Sequence, residues 1–247
     1  MNQKCTHKPI ILTNLHQSSH DPTLLAEAIT SICLKRPPHL APGQETALSK
    51  FTEEAGLYEL PDQRVDQYHE KSIITAYFHL FDDLFFEGNV GKFCEVALFK
   101  GFLDSKRTRA MFDTLGKDNQ REKRYEIRIH ATTKVANQKK RLVHYLGTLL
   151  HEMVHVFLQL YACEECARKT EGLGLTGHGW AWMEVATAVK DAVGKKGLLG
   201  RDYPLGRLVG LVMELRTGAK MPTEEKVRQW TGVGLKEVNN ELKRHKK

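Results

Sequence analysis

Residues 140–161 constrain this chain more than any other stretch, because they write one long amphipathic helix whose two sides carry different chemistry. Advancing about 100° per residue from His151 places Leu142, Leu146, Leu149, Leu150, Met153, Phe157 and Leu160 in an arc from roughly 160° to 260°. An apolar stripe of that width has to be covered by other elements, so the helix must run through a domain core. His151 and His155 lie on the opposite side, about 40° apart, where both imidazoles reach a common point. Gly147 and Thr148 share that side and are expected to leave room for an approaching group.

The remainder of the chain supplies the cover. With 247 residues, 41% of them hydrophobic and 27% charged, the composition is that of a globular protein. Asp21-Pro22 is a helix start, with a helix expected over residues 24–34. The run Arg36-Pro37-Pro38-His39-Leu40-Ala41-Pro42-Gly43 reads as a linker, since paired prolines oppose both helix and strand. A helical period over residues 61–86 predicts a second long helix, stopped at Gly88-Asn89. Dense β-branched and aromatic residues predict a strand over residues 93–99. Tyr125, Ile127 and Ile129 alternate with polar residues and predict another. Residues 101–124 read as a charged, flexible connection. Helices are expected over residues 179–193, 223–230 and 235–243. The fold class is α+β, a small sheet with packed helices. Residues 1–60 form an N-terminal extension, partly disordered, residues 61–195 the main domain, and residues 196–247 a basic C-terminal helical segment.

No apolar run approaches the roughly 18 residues of a membrane helix; the longest, near residues 208–215, is interrupted by Gly210 and Glu214. The opening residues lack the apolar core of a signal peptide, and five cysteines are an odd number. Membrane and secreted classes are therefore set aside, and a disulfide framework with them.

His151-Glu152-Met153-Val154-His155 is an HExxH motif. Its two histidines suit one zinc ion at about 2.0–2.1 Å, and Glu152 stands where it would meet a water on that ion. In a chain with 12 histidines the motif alone arises by chance too readily to identify a site. A catalytic zinc takes three protein ligands. Tyr161 stands six residues after His155, which excludes the metzincin pattern. His178, between Gly177 and Gly179 and just before an apolar helix, is the leading third ligand, with Glu171 and Glu184 as rivals.

Taken in order, Phe81-Asp82-Asp83-Leu84-Phe85-Phe86-Glu87-Gly88-Asn89-Val90-Gly91-Lys92, the strand at residues 125–129, Leu149-Leu150-His151-Glu152-Met153-Val154-His155 and Gly177-His178-Gly179-Trp180-Ala181-Trp182 resemble the SprT-like zinc metalloproteases over residues 68–190. One branch of that family, the Spartan-like proteases, degrades proteins crosslinked to DNA. The resemblance implies a zincin-like domain over residues 61–195. It further implies Zn²⁺ on His151, His155 and His178, with Glu152 as general base for peptide hydrolysis by a zinc-activated water. By resemblance as much as by pattern, residues 125–129 would offer the strand edge that holds substrate. Three features depart from the family, the first being that no ubiquitin-binding finger or clamp-binding peptide is recognisable. No cysteine follows His178, so there is no zinc ribbon. Cys163-Glu164-Glu165-Cys166 looks like an insertion, and two thiols alone cannot complete a tetrahedral site.

The formal charge of +7 is unevenly spread. Residues 100–141 hold 13 Lys and Arg against 5 Asp and Glu, and residues 191–247 hold 13 against 7. Both blocks suit phosphate backbones, with Lys106, Arg107, Arg109, Lys134, Lys139, Lys140 and Arg141 as the expected contacts. The partners expected are therefore protein substrates and DNA, in an intracellular, nuclear setting. Two other readings stand beside this one: a non-proteolytic DNA- or chromatin-binding module with structural zinc, and a zincin peptidase unrelated to DNA.

Overall fold

The computed structural model describes residues 10–62, 66–99, 110–117, 123–131, 137–166 and 169–244. After a 3-10 turn at Leu12–Asn14, α1 spans Pro22–Leu34. Asp21 caps it by accepting the Thr23 N–H at 2.7 Å, and Pro22 sits in the first turn, where a missing N–H costs nothing. The next helix, α2 at Pro42–Glu53, begins inside the stretch read as a linker. Gln44 explains it: its side chain accepts the Ala41 N–H at 3.1 Å and donates to the Leu84 carbonyl at 2.7 Å. Pro42 is thus a helix start, not a break.

One turn of helix, α3 at Ala55–Tyr58, leads to α4 at Gln67–Phe85. Ile73, Ile74, Tyr77, Phe78, Phe81, Leu84 and Phe85 are buried along α4 at the expected period. Asp82 organises the turn that ends α4, accepting the N–H groups of Val90 and Gly91 at 2.8 and 2.7 Å. Burial pushes its carboxyl up to about 6, opposed by those same two bonds.

The sheet has three strands, β1 at Cys94–Phe99, β2 at Ala110–Lys117 and β3 at Lys123–His130, in the order β1-β3-β2. β1 runs parallel to β3, pairing Cys94 with Tyr125 through to Phe99 with His130. β2 runs antiparallel to β3, with a register irregularity between Thr114 and Gly116. Two expectations are corrected here. Residues 101–124, read as a flexible connection, contain the whole of β2. The strand at residues 125–129 is no edge, because β3 is hydrogen-bonded on both sides and has no free row of backbone groups for an added chain. Its alternation is as expected: Tyr125, Ile127 and Ile129 are buried.

The remaining helices are α5 at Gln138–Tyr161, α6 at Lys169–Leu173, α7 at Trp180–Val193, α8 at Arg207–Arg216, α9 at Glu224–Thr231 and α10 at Leu235–Arg244. α5 passes under β2 and β3 and between α4 and α7, with its leucine stripe fully buried. Near its start Arg141 pairs with the buried Glu70 of α4, which also accepts from Gln138 at 3.0 Å. At its end, Ser18, Ser19 and His20 donate their N–H groups to the carbonyls of Leu160 and Tyr161 at 2.8, 3.1 and 2.9 Å. The described part of the N-terminal extension therefore belongs to the same core: α1 packs on α7 and buries Leu25, Ala26 and Ile29. Leu205, Leu211, Val227, Trp230 and Val238 from beyond residue 195 join that core as well. No helix among the described residues is long and apolar enough to cross a membrane.

Candidate metal centre

His151 and His155 project from the polar side of α5, and His178 meets them from the loop that precedes α7. Their Nε2 atoms form a near-equilateral triangle: 3.1 Å between His151 and His155, and 3.2 Å from each of these to His178. A tetrahedral zinc with nitrogen bonds of about 2.0–2.1 Å holds its donors roughly 3.3 Å apart, so the triangle fits such an ion.

The protonation of the rings agrees. His151 Nδ1 lies 2.8 Å from the Leu205 carbonyl, which only accepts, so Nδ1 carries the proton and Nε2 a bare lone pair. Thr176 Oγ1 gives its hydrogen to Glu214 at 2.6 Å, so it accepts from His178 Nδ1 at 3.0 Å, and His178 Nε2 is bare too. The bare lone pairs of His151 and His178 repel one another at this distance unless a cation, or a proton on His155 Nε2, lies between them. Burial holds all three imidazoles neutral. His178 is lowered to about 3 by burial and then by His151, and His155 falls well below its ordinary value for the same reasons, with His178 adding to them. Burial also lowers His151, against its bond to Leu205. Neutral imidazole is the form that binds a metal.

Close packing fixes the three rings. Trp182 of α7, fully buried, lies beneath the three rings with centroids 4.7, 5.3 and 4.7 Å from His151, His155 and His178. Gly177 has φ +83°, and a Cβ there would stand 3.0 Å from the His155 ring, so only glycine brings His178 in at this position. Gly210 of α8 packs on His178, where a Cβ would stand 2.7 Å from Cδ2. The space expected beside Gly147 is occupied: Pro204 lies against it, with its carbonyl oxygen 2.5 Å from the position of an added Cβ.

Glu152, next to His151 on α5, is 8% exposed, and desolvation raises its carboxyl to about 7. The rival ligands stand elsewhere. Glu184 accepts from Lys226 at 2.6 Å and from Trp230 Nε1 at 2.9 Å, and Glu171 is exposed on α6. Cys163 and Cys166 are buried thiols outside the cluster, with Cys166 Sγ 3.8 Å from Asp21 Oδ2. Among the described residues, His151, His155 and His178 are the one group of three or more side chains placed to share a metal.

Of the expected phosphate contacts, Arg141 is committed to Glu70, and Lys139 pairs with Asp62 at 3.2 Å. Lys140 is exposed, while Lys106, Arg107, Arg109 and Lys134 lie outside the described residues. The parts of the centre that a sequence reading overlooks are Leu205, Glu214 and Thr176. Their one signal is Glu214 itself, an acid within the apolar run of α8. Comparison of the chain with protein-family models, curated proteins and solved structures finds no match.

Proposed function

We propose that this chain is a zinc-dependent endopeptidase of the SprT-like, zincin type, acting on DNA-associated or DNA-crosslinked proteins. The observation that carries this reading is the triangle of neutral Nε2 donors with the buried carboxyl of Glu152 beside it on the same helix. Zinc held by these nitrogens supplies Lewis acidity to the reacting carbonyl and to the attacking water.

The protein's own residues supply the rest. Glu152 acts as the general base, taking a proton on its carboxylate and returning it to the leaving amine. Burial serves that role: a carboxyl near 7 is found in both protonation states around neutral pH. Trp182, fully buried against all three rings, holds them in place. Because β3 is interior, the substrate strand is assigned to β2, the outer strand that packs on α5; β1 lies on the far side of the sheet, against α4.

A purely structural zinc would fill its fourth position with another side chain. The described residues bring three ligands together, which favours the catalytic reading. The DNA connection rests on the two basic blocks and implies binding that is independent of sequence and weakens with salt.

The test is cleavage of a histone substrate by the zinc-loaded protein, with and without single-stranded DNA, beside Glu152→Gln. Turnover is expected to fall roughly 10²- to 10⁴-fold in the variant while zinc stays bound. Cleavage that ignores DNA would keep the peptidase and discard the DNA role. Full activity in Glu152→Gln would remove Glu152 from the mechanism.

A further inference from the structure

Two of the three histidines receive their orientation from beyond residue 195, outside the span that carries the motifs. The Leu205 carbonyl sets His151, and α8 sets His178 through an intermediary. The second connection is the more specific. Glu214 is 6% exposed, and both its oxygens accept: Oε1 takes the Leu175 N–H at 2.7 Å, and Oε2 takes the Thr176 N–H at 2.9 Å and the Thr176 hydroxyl at 2.6 Å. One carboxylate thus binds the loop that delivers His178 by two backbone groups and one side chain.

The direction of these bonds has a chemical consequence. The Thr176 hydroxyl has one hydrogen. Because Glu214 accepts it, the oxygen is left as an acceptor for His178 Nδ1–H, and His178 is held with Nε2 deprotonated toward His151 and His155. A donor in place of Oε2 would reverse the chain of bonds. Thr176 would then accept from it and donate to His178 Nδ1, leaving the ring proton on Nε2, where it blocks a metal. We infer that Glu214 and Thr176 are positioning residues of the metal centre, a carboxylate–hydroxyl–imidazole relay from α8 that selects the metal-binding tautomer of His178. This rests on the reading of the three histidines as metal ligands.

The experiment uses the full chain and reads zinc affinity by chelator competition, the visible spectrum of the Co²⁺-loaded protein, and ¹⁵N NMR of the histidine rings. Thr176→Val keeps the shape and the backbone bond to Glu214 but removes the relay. Glu214→Gln keeps one accepting oxygen, which can still take the Thr176 groups if the amide donor turns toward Leu175. Thr176→Val is expected to bind zinc roughly 10- to 100-fold more weakly, with an altered Co²⁺ spectrum, and Glu214→Gln to weaken it less, while Thr176→Ser restores wild-type affinity.

In the metal-free wild type, His178 is expected as the Nδ1–H tautomer. That measurement needs no variant to fold. Wild-type zinc affinity in a folded Thr176→Val, or an Nε2–H tautomer of His178 in the wild type, would overturn the relay and leave the metal site standing. Failure of the wild type to bind zinc at all would overturn the metal reading, and the relay with it.

Discussion

The helix α5 and the segment from Pro204 to Glu214 build the same histidine cluster by opposite means. α5 brings two of its histidines and Glu152 on one continuous, regular element, buried along its whole apolar face. The later segment brings no member of the cluster. It contributes a carbonyl to His151, a glycine surface to His178 and a carboxylate to the His178 loop. Two of the three histidines are therefore a local property of one helix, while the third and the orientation of the set come from residues distant in sequence. If the two parts are separable, substitutions in each should move different observables.

The largest expected effect lies at the start of α5, away from the histidines, where α4 anchors it. Glu70 accepts from Arg141 and from Gln138 at the start of that helix, with side-chain exposures of 8% and 15% for the ion pair. Glu70→Ala removes the buried carboxylate to which both Arg141 and Gln138 donate. Breaking a buried pair from one side costs about 3–5 kcal/mol, and the lower end applies to a pair that retains some solvent. Denaturant unfolding is expected to show that loss, while the zinc affinity of the folded protein stays at the wild-type level. A large fall in affinity without loss of stability would show that the far end of α5 is coupled to the site, and the comparison would fail.

Gly210→Val should show the reverse pattern. A Cβ at Gly210 meets His178 Cδ2 at 2.7 Å, so the ring has to rotate or α8 has to withdraw. Overpacking of this kind costs about 1–3 kcal/mol of stability. Displacing a ligand from its orienting partners is expected to weaken zinc binding roughly 10- to 100-fold. Equal zinc affinity in Gly210→Val and wild type would mean that α8 merely covers the site.

The same contrast explains what was legible in the sequence. The α5 pattern is set by periodicity within 22 residues, so its core face and its histidines are read directly. His178 was legible because glycines flank it. Gly210 and Glu214, by contrast, look like interruptions of an apolar run, and their purpose emerges only when the His178 loop lies against them. Pro42 misled in the same way: Gln44 turns it from a breaker into a helix start by reaching Leu84, 40 residues away. The strands were harder. β3 alternates clearly, but its place between β1 and β2 depends on partners that no local pattern names. β2, Ala-Met-Phe-Asp-Thr-Leu-Gly-Lys, alternates poorly and lies in a block dominated by charge.

The smallest effect near neutral pH, and one that grows below it, is the pH dependence of the metal-free protein. His151, His155 and His178 are held low by burial, His178 at about 3, so each is neutral when folded and takes up a proton on unfolding below about 6.5. Their contribution is present above about 6.5 and is lost as pH falls toward the folded values. Glu152 works the other way: raised to about 7, its contribution is present below its unfolded value of 4.5 and is lost as pH rises through 7. Three histidines outweigh one carboxyl, so in chelator the urea midpoint is expected to fall from pH 6.5 to pH 5. In Glu152→Gln the opposing contribution is absent, and the fall should be steeper. A midpoint that rises on acidification would mean that the histidines are not held neutral, and the donor triangle would lose its chemical basis before any zinc was added.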